Sequence, residues 1–559
     1  MRILFLTHAF NSLTQRLFID LSARGHQVSV EFDINDAVSL EAVELFQPQL
    51  ILAPYLRRAI PESIWRRHVC LIVHPGVIGD RGPSALDWAI LNNVPEWGVT
   101  LLQAEAEMDA GPVWAAETFA LRAAMKSSLY RNEVTEAAAR AVLTALDRLP
   151  DYLAGRWQPL AHPLQPMHPL MRQANRAIDW QRDDTACVLA KIHGADSFPG
   201  VLDALFGQPC HLYHAQPFAA AGQPGELICQ FDEGVVRATV DGAVWIGHVK
   251  RPDGGIKLPV ALAFPETTSL PVAAAGSQDI EYSETGLIGY LAFNFYNGAM
   301  GTRACERLLA ALHAALQRPT RVIVLLGGTD FFSNGLDLNR IEAASSAPDE
   351  SWRNINAMDD LCQAVINAES HLTISALRGN AGAGGAFLAL AADQVWARRG
   401  VVLNPHYKNM GNLYGSEYWS FLLPRRLGDA AARDIMRRRL PLGADEAASI
   451  GFLDACFGSD PADFEREVVR RAESLANSPD FAAQLADKLR RRSADEAAKP
   501  LASYRAEELA RMRQNFFGFD PSYHIARHNF VTKTPHSWTP RHLAIHRETG
   551  WVKPIDEAT

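Results

Sequence analysis

Apolar residues fall in short dense runs separated by polar stretches of helical length. RILFLT (2–7) reads as a buried strand. The following SLTQRLFIDLSARGH repeats its apolar positions at helical spacing and stops at Gly25, a suitable helix end. QVSVEF, PQLILAP and VCLIV continue the alternation. Strands and helices at this interval predict an α/β unit with a parallel, doubly wound sheet over residues 1–155. WGVTLLQAEAEMDAGPVWAAETFAL (97–121) predicts two further strands around a loop, and a helix follows near RNEVTEAAARAVLTALDRL.

The pattern then changes. GRWQPLAHPLQPMHPLM (155–171) holds four prolines and predicts an extended segment wrapped across a domain surface. His162 and His168 each precede a proline there. Over 172–264, GELICQ, VVRATV and AVWIGHV are short strand-like runs between Gly and Asp turns, which predicts a small OB-like β-barrel. PETTSLPVAAAGSQD (265–279) marks a second boundary. A new α/β domain then spans 282–460, with RVIVLLGG and HLTISALRG as buried strands, and residues 461–559 read as a helical region. The expected class is a multidomain α/β protein without a fixed-period repeat.

Composition narrows the function. Apolar residues make up 48% of the 559, enough for large cores. The net charge of −9 argues against a general nucleic-acid binder. Seven scattered cysteines form no Cys-x-x-Cys pair, which predicts neither a disulfide framework nor a metal site and suits a reducing cytoplasm. The opening MRILFLTHAF is too short for a secretory leader, and no apolar run reaches the ~18 residues of a membrane span.

Two places carry candidate chemistry. His74 ends a buried strand and enters the glycine turn HPGVIGDRG, and Asp109 follows in EMDAGPV. A histidine and a carboxylate at the sheet's carboxyl edge can move a proton. A satisfied core histidine and a turn aspartate fit the same spacing. FFSNGLDL (331–338) and LRGNAGAGGAFLALAAD (377–393) are each a strand entering a glycine turn. Two such turns can aim backbone N–H groups at one point and stabilise a developing oxyanion, or can simply pack a strand against a helix.

VHPGVIGDRGPSALDWAILNN, WGVTLLQAEAEMDAGPVW and AIDWQRDDTACVLAKIHGADSFPG resemble the 10-formyltetrahydrofolate-dependent formyltransferases, over roughly residues 1–262. The resemblance implies a Rossmann-like domain followed by a barrel, His74 and Asp109 as catalytic residues, and folate across Gly79, Asp80, Arg81 and Gly82. It fails at Ile72, where that family has an asparagine donating to the formyl oxygen. Losing one such donor costs ~2.7–4 kcal/mol of transition-state stabilisation. Either another donor such as protonated His74 takes over, or the acceptor differs from the usual amine. A thiol is one candidate.

The stretch from about 282 to 457, including PLGADEAASIGFLDACF, resembles the crotonase (enoyl-CoA hydratase/isomerase) superfamily. That implies coenzyme A and an oxyanion hole from the N–H groups of Leu336 and Gly384, in turns that also carry Gly335 and Gly385. At the positions of the two hydratase glutamates stand Phe387 and His406. Tyr407 and Glu417 remain nearby as a candidate acid–base pair.

The fusion, with FNFYNGAM, SWRNINAMDDL and FFGFDPSYHIARHNFVTK, resembles the HypX (HoxX) family of nickel–iron hydrogenase maturation proteins. The family implies formyl transfer from 10-formyltetrahydrofolate to CoA, decarbonylation of formyl-CoA to carbon monoxide for the active-site iron, no metal cofactor, and transient contact with the maturation machinery or a hydrogenase precursor. The charge, the lack of a long apolar run and the cysteine pattern lead us to expect no nucleic-acid or membrane partner and a cytoplasmic location. For the CoA phosphates the sequence offers Asn11, Ser12, Gln15 and Arg16 at the first helix's start, with Arg527 and Lys533 as alternatives. A formyl hydrolase and a non-catalytic folate- and CoA-binding scaffold are the competing readings.

Overall fold

The computed structural model describes residues 1–163, 165–274, 276, 279–548 and 550–551. The described residues form two compact units, one from Met1–Ser277 with Pro535–Thr559 and the other from Gln278–Thr534.

The first unit opens with a six-stranded sheet of β1 (Arg2–Thr7), β2 (Gln27–Phe32), β3 (Leu50–Ala53), β4 (Cys70–His74), β5 (Glu96–Gln103) and β6 (Val113–Ala120), in the order β2-β1-β3-β4-β5-β6. β1 to β4 pair in parallel, as the spacing predicts, and their near-continuous apolar runs are buried. The parallel order ends at the far edge, at the two strands expected around a loop in 97–121. β5 runs antiparallel to β4, and β6 antiparallel to β5. Residues 75–95, with the helix Ala85–Leu91, join β4 to β5, whereas the loop between β5 and β6 is too short for the helical crossover a parallel pair requires, so these two strands form a hairpin. That return carries Asp109 to the end of β4.

Asn11 caps the helix Ser12–Ala23, accepting the Thr14 N–H at 3.0 Å. The helix Thr135–Leu153 buries an alanine-rich face against β5 and β6. The proline-rich segment is extended and follows the glycine loop. Gln165 N–H donates to Gly79 O at 3.1 Å, and His168 N–H to Arg81 O at 2.8 Å. The six following strands are β7 (Val201–Leu205), β8 (Gln208–Phe218), β9 (Leu227–Phe231), β10 (Gly234–Ala238), β11 (Ala243–Lys250) and β12 (Lys257–Pro259). All pair antiparallel, in the order β7-β8-β11-β10-β9 with β12 on β11, around a core that includes Val188, Ile192, Leu212, Val244 and Phe264.

The second unit has two sheets. One takes β13 (Ile280–Thr285), β14 (Ile288–Phe293), β15 (Val322–Leu326), β17 (Leu372–Leu377), β19 (Gln394–Arg398) and β22 (Ala455–Phe457), parallel except for the β13–β14 hairpin. The other takes β16 (Phe331–Ser333), β18 (Asn380–Gly382), β20 (Val402–Asn404) and β21 (Leu442–Gly443). The expected helical region at 461–559 is divided. Helices Pro461–Ala476, Phe481–Ala498, Leu501–Phe517 and Ser522–Thr532 belong to the second unit. The tail from Pro535 returns to the first unit and lies along β2, where Val30 N–H donates to Leu543 O at 2.9 Å. Residues 549 and 552–559 of that predicted region lie outside the described residues. Among the described residues no helix is long and apolar enough to cross a membrane.

Candidate active sites

In the first unit His74 is the last residue of β4, and its ring is buried. Nδ1 faces Oδ1 of Asp109 at 3.6 Å, and Nε2 is 2.8 Å from Oδ2 of Asp80. Asp109 has a φ of +52° and accepts the Gly82 N–H at 3.1 Å. A left-handed aspartate braced by a backbone donor is held in one place. The structure thus brings together the histidine and carboxylate that the sequence had placed 35 residues apart.

The loop 79–82 has a more specific arrangement than sequence could give. Asp80 sits on His74, with His168 Nε2 at 3.7 Å from its other oxygen. Arg81 pairs with Glu107 at 2.7 Å and donates to Met108 O. Gly79 and Gly82 have positive φ and lie against the backbone of the proline-rich segment. Gly76 went unread. A Cβ there would stand 2.4 Å from both His74 Nε2 and Asp80 Oδ2, so only glycine leaves the pair intact. Ile72 packs against the apolar core beside β4.

The residues expected at the CoA phosphates are mostly engaged. Asn11 caps its helix, with Ser12 as the first helical residue, and Gln15 donates to Phe10 O at 2.8 Å. Arg16 is bonded to Asp20 at 2.8 Å and Glu136 at 3.0 Å, so two carboxylates already compensate its charge. Arg527 is buried, paired with Glu342 at 2.8 Å and 2.8 Å from His524 Nδ1. Lys533 is exposed at the end of the helix Ser522–Thr532.

In the second unit the two glycine turns converge. Gly335 has a φ of +76°, and a Cβ on it would lie 3.1 Å from Gly384 N. Leu336 bridges to Met300 beside it. Ala383, with a φ of +46°, turns the chain into the helix Gly384–Leu390. Gly385 packs so closely that a Cβ would come 2.2 Å from Ser333 O.

Glu417 lies directly over this turn, since a Cβ on Gly384 would meet its Oε1 at 2.1 Å. Its Oε2 is 2.6 Å from the Tyr407 hydroxyl, which also lies 3.0 Å from Ser416 O. Phe387 stacks on Tyr407 with centroids 5.3 Å apart. Phe387 therefore supports the tyrosine that contacts the Glu417 carboxyl. His406 is buried. Burial, and then the neighbouring Asp359, push the Glu417 carboxyl up to about 8. The ten-residue separation of Tyr407 and Glu417 did not show that they meet; the loop after β20 makes them do so.

Sequence reading also missed Asp359 and Glu508, two buried carboxyls bonded to the segment that carries Glu417. Asp359 stood out in principle. It falls between Met358 and Cys362 on the apolar stripe of a helix, where an acid requires a partner.

Fold and sites define a formyltransferase-like unit joined to an enoyl-CoA hydratase-like unit. Residues 170–259 match the formyl transferase C-terminal domain, and residues 296–539 match the enoyl-CoA hydratase/isomerase family. Hydrogenase maturation factor HoxX of Bradyrhizobium diazoefficiens is 54% identical over 557 residues, covering 98% of this chain and 97% of that protein. HypX from Aquifex aeolicus, solved in complex with tetrahydrofolic acid, superposes with a TM-score of 0.95 at 46% identity, covering 98% of this chain and 99% of the other. Methionyl-tRNA formyltransferase of Dechloromonas aromatica is 27% identical over 256 residues, 46% of this chain and 77% of its own length. The chain belongs to the HoxX/HypX family of hydrogenase maturation factors.

Proposed function

We propose that the chain moves a formyl group from 10-formyltetrahydrofolate to the thiol of CoA in its first unit. In its second unit it splits the formyl thioester into carbon monoxide and CoA. The tetrahydrofolic acid bound to the Aquifex relative supports the donor, and the hydratase-like unit supports the thioester. Both are co-substrates in this reading.

In the first step a C–S bond forms at the formyl carbon and its bond to the folate nitrogen breaks. His74 and Asp109 move the proton from the thiol to that nitrogen, so no net proton is consumed. A thiolate is a strong nucleophile near neutrality, which lessens the need for the donor that Ile72 has replaced.

In the second step the N–H groups of Leu336 and Gly384 hold the carbonyl oxygen. Glu417 takes the formyl proton, with Tyr407 bonded to its other oxygen. The C–H electron pair stays on carbon, and the C–S bond breaks toward sulfur. Glu417 then returns the proton to the thiolate, so atoms and charge balance. The observation that carries this reading is Glu417 poised over Gly384 with Tyr407 bonded to its other oxygen. The carbon monoxide would serve the hydrogenase iron, delivered through contact with the maturation machinery or the hydrogenase precursor.

The test supplies formyl-labelled 10-formyltetrahydrofolate and CoA to purified protein and follows label into thioester and gas. Label in carbon monoxide is expected; label in formate alone would identify a hydrolase, and no turnover a scaffold. Glu417→Gln is expected to retain CoA binding and lose gas release. Unchanged release would remove Glu417 from the reaction.

A further inference from the structure

Asp359 lies in the middle of the helix Ala347–Ile366, on its apolar face and out of reach of solvent. A carboxyl is kept in such a place only if its oxygens are used. One oxygen accepts the Glu417 backbone N–H at 2.8 Å, and the other accepts the Ser416 hydroxyl at 2.8 Å. Glu508, on the helix Leu501–Phe517, accepts the N–H groups of Tyr418 at 2.9 Å and Ser420 at 2.8 Å. The two acids thus grip the segment on either side of the Glu417 side chain. Their grip has a purpose, because Glu417 and Tyr418 both have a φ of +58°. Two successive non-glycine residues stay left-handed only where their surroundings fix them.

The charged surroundings are one-sided. Glu417 is faced by Asp359 and Cys362 from one helix, Glu508 from a second, Cys305 from a third and Tyr407 from the loop after β20. The cation nearest Asp359 is Arg505, 3.8 Å from Oδ2 and bonded to the exposed Asp360 at 2.7 Å. Three buried carboxyls, of which Asp359 has the guanidinium beside it, cannot all ionise.

We infer that Asp359 is a positioning residue for the thioester cleavage: it fixes Glu417 over Gly384, and its charge makes Glu417 a stronger base than an isolated carboxylate. This rests on Glu417 being the base of the proposed second step. Burial pushes Asp359 up to about 7, and burial with Asp359's charge pushes Glu417 up to about 8. A base whose pKa lies near the working pH removes a proton more effectively than one already ionised at pH 4.

The experiment is the pH–rate profile of carbon monoxide release by the full-length protein from freshly prepared formyl-CoA, which bypasses the folate step. The wild-type rate is expected to rise with pH as the cluster ionises. Asp359→Asn keeps the side chain's size and removes its charge. The rising limb should move to lower pH by on the order of one unit, with a lower plateau. Arg505→Met leaves the Asp359 carboxyl in place but keeps it protonated to higher pH, so Glu417 loses the like charge and the limb should again move to lower pH. A purely structural Asp359 would lower the rate and leave the limb in place, so an unmoved limb in either variant overturns the inference. Arg505→Met decides alone if Asp359→Asn fails to fold. Glu417→Gln in the same assay separates the two ideas. Retained release there refutes the base itself, whereas lost release with unmoved limbs in the other variants refutes only the role of Asp359.

Discussion

Replacing Gly384 by alanine tests the second site with one carbon atom. The new Cβ would stand 2.1 Å from Glu417 Oε1 and 2.6 Å from its Cδ, where real Cβ contacts essentially never fall below 3.0 Å. Glu417 must therefore retreat by roughly 1 Å, a displacement that costs reacting groups about 10²-fold in rate. Its backbone is pinned by Asp359, so the carboxyl has to swing away from the oxyanion site and from Tyr407. Folding should survive, because Gly384 opens a helix and alanine is the better helix former by up to ~1 kcal/mol. The assay feeds formyl-CoA to the purified variant and reads carbon monoxide by gas trapping, with a thermal melt alongside. A rate about 10²-fold down with an unchanged melt is expected. Gas release within about threefold of wild type would show that Glu417 need not occupy this position.

Other outcomes follow from the same geometry. Gly76→Ala should separate His74 from Asp80 and lower formyl transfer from folate about 10²-fold, while release from supplied formyl-CoA is unchanged. Tyr407→Phe removes the hydroxyl from Glu417 and should slow gas release about tenfold with little change in the KM for formyl-CoA, read by steady-state kinetics. Glu31, buried under the tail, is pushed up by burial, but hydrogen bonds from His546, Thr539 and Arg547 outweigh this and hold it below the ordinary carboxylate value. Its contribution to stability is then present above the unfolded-state value near ~4.3 and lost as pH falls through the folded one. Thermal melts between pH 7 and 3 should show that acid loss in wild type and a flatter dependence in Glu31→Gln.

Much of the molecule was legible along the chain, for a physical reason. Burial on both faces imposes apolar runs on β1 to β4, and helices between them must show a 3.6-residue period. The glycine turns were legible because positive φ and close approach exclude other residues, as at Gly335 and Gly82. The direction of β5 was not, since a hairpin and a crossover strand share the same alternation of apolar residues. The tail was misread for a related reason. It docks through scattered contacts, among them His546 to Ser29 at 2.6 Å, Thr539 to the Phe32 N–H at 2.8 Å and the His536 ring on Phe32, and these leave no periodic trace.

The sequence alone determined the two modules and the positions of their turns, because local sterics and burial write directly into residue type. Only the tertiary structure decided which side chains meet: Asp80 on His74, Tyr407 on Glu417, and Asp359 and Glu508 beneath them. Those contacts join residues far apart in the chain, as Glu508 is 90 positions from Tyr418. The free energy of a buried charge depends on everything within a few ångströms of it, whatever its distance along the chain.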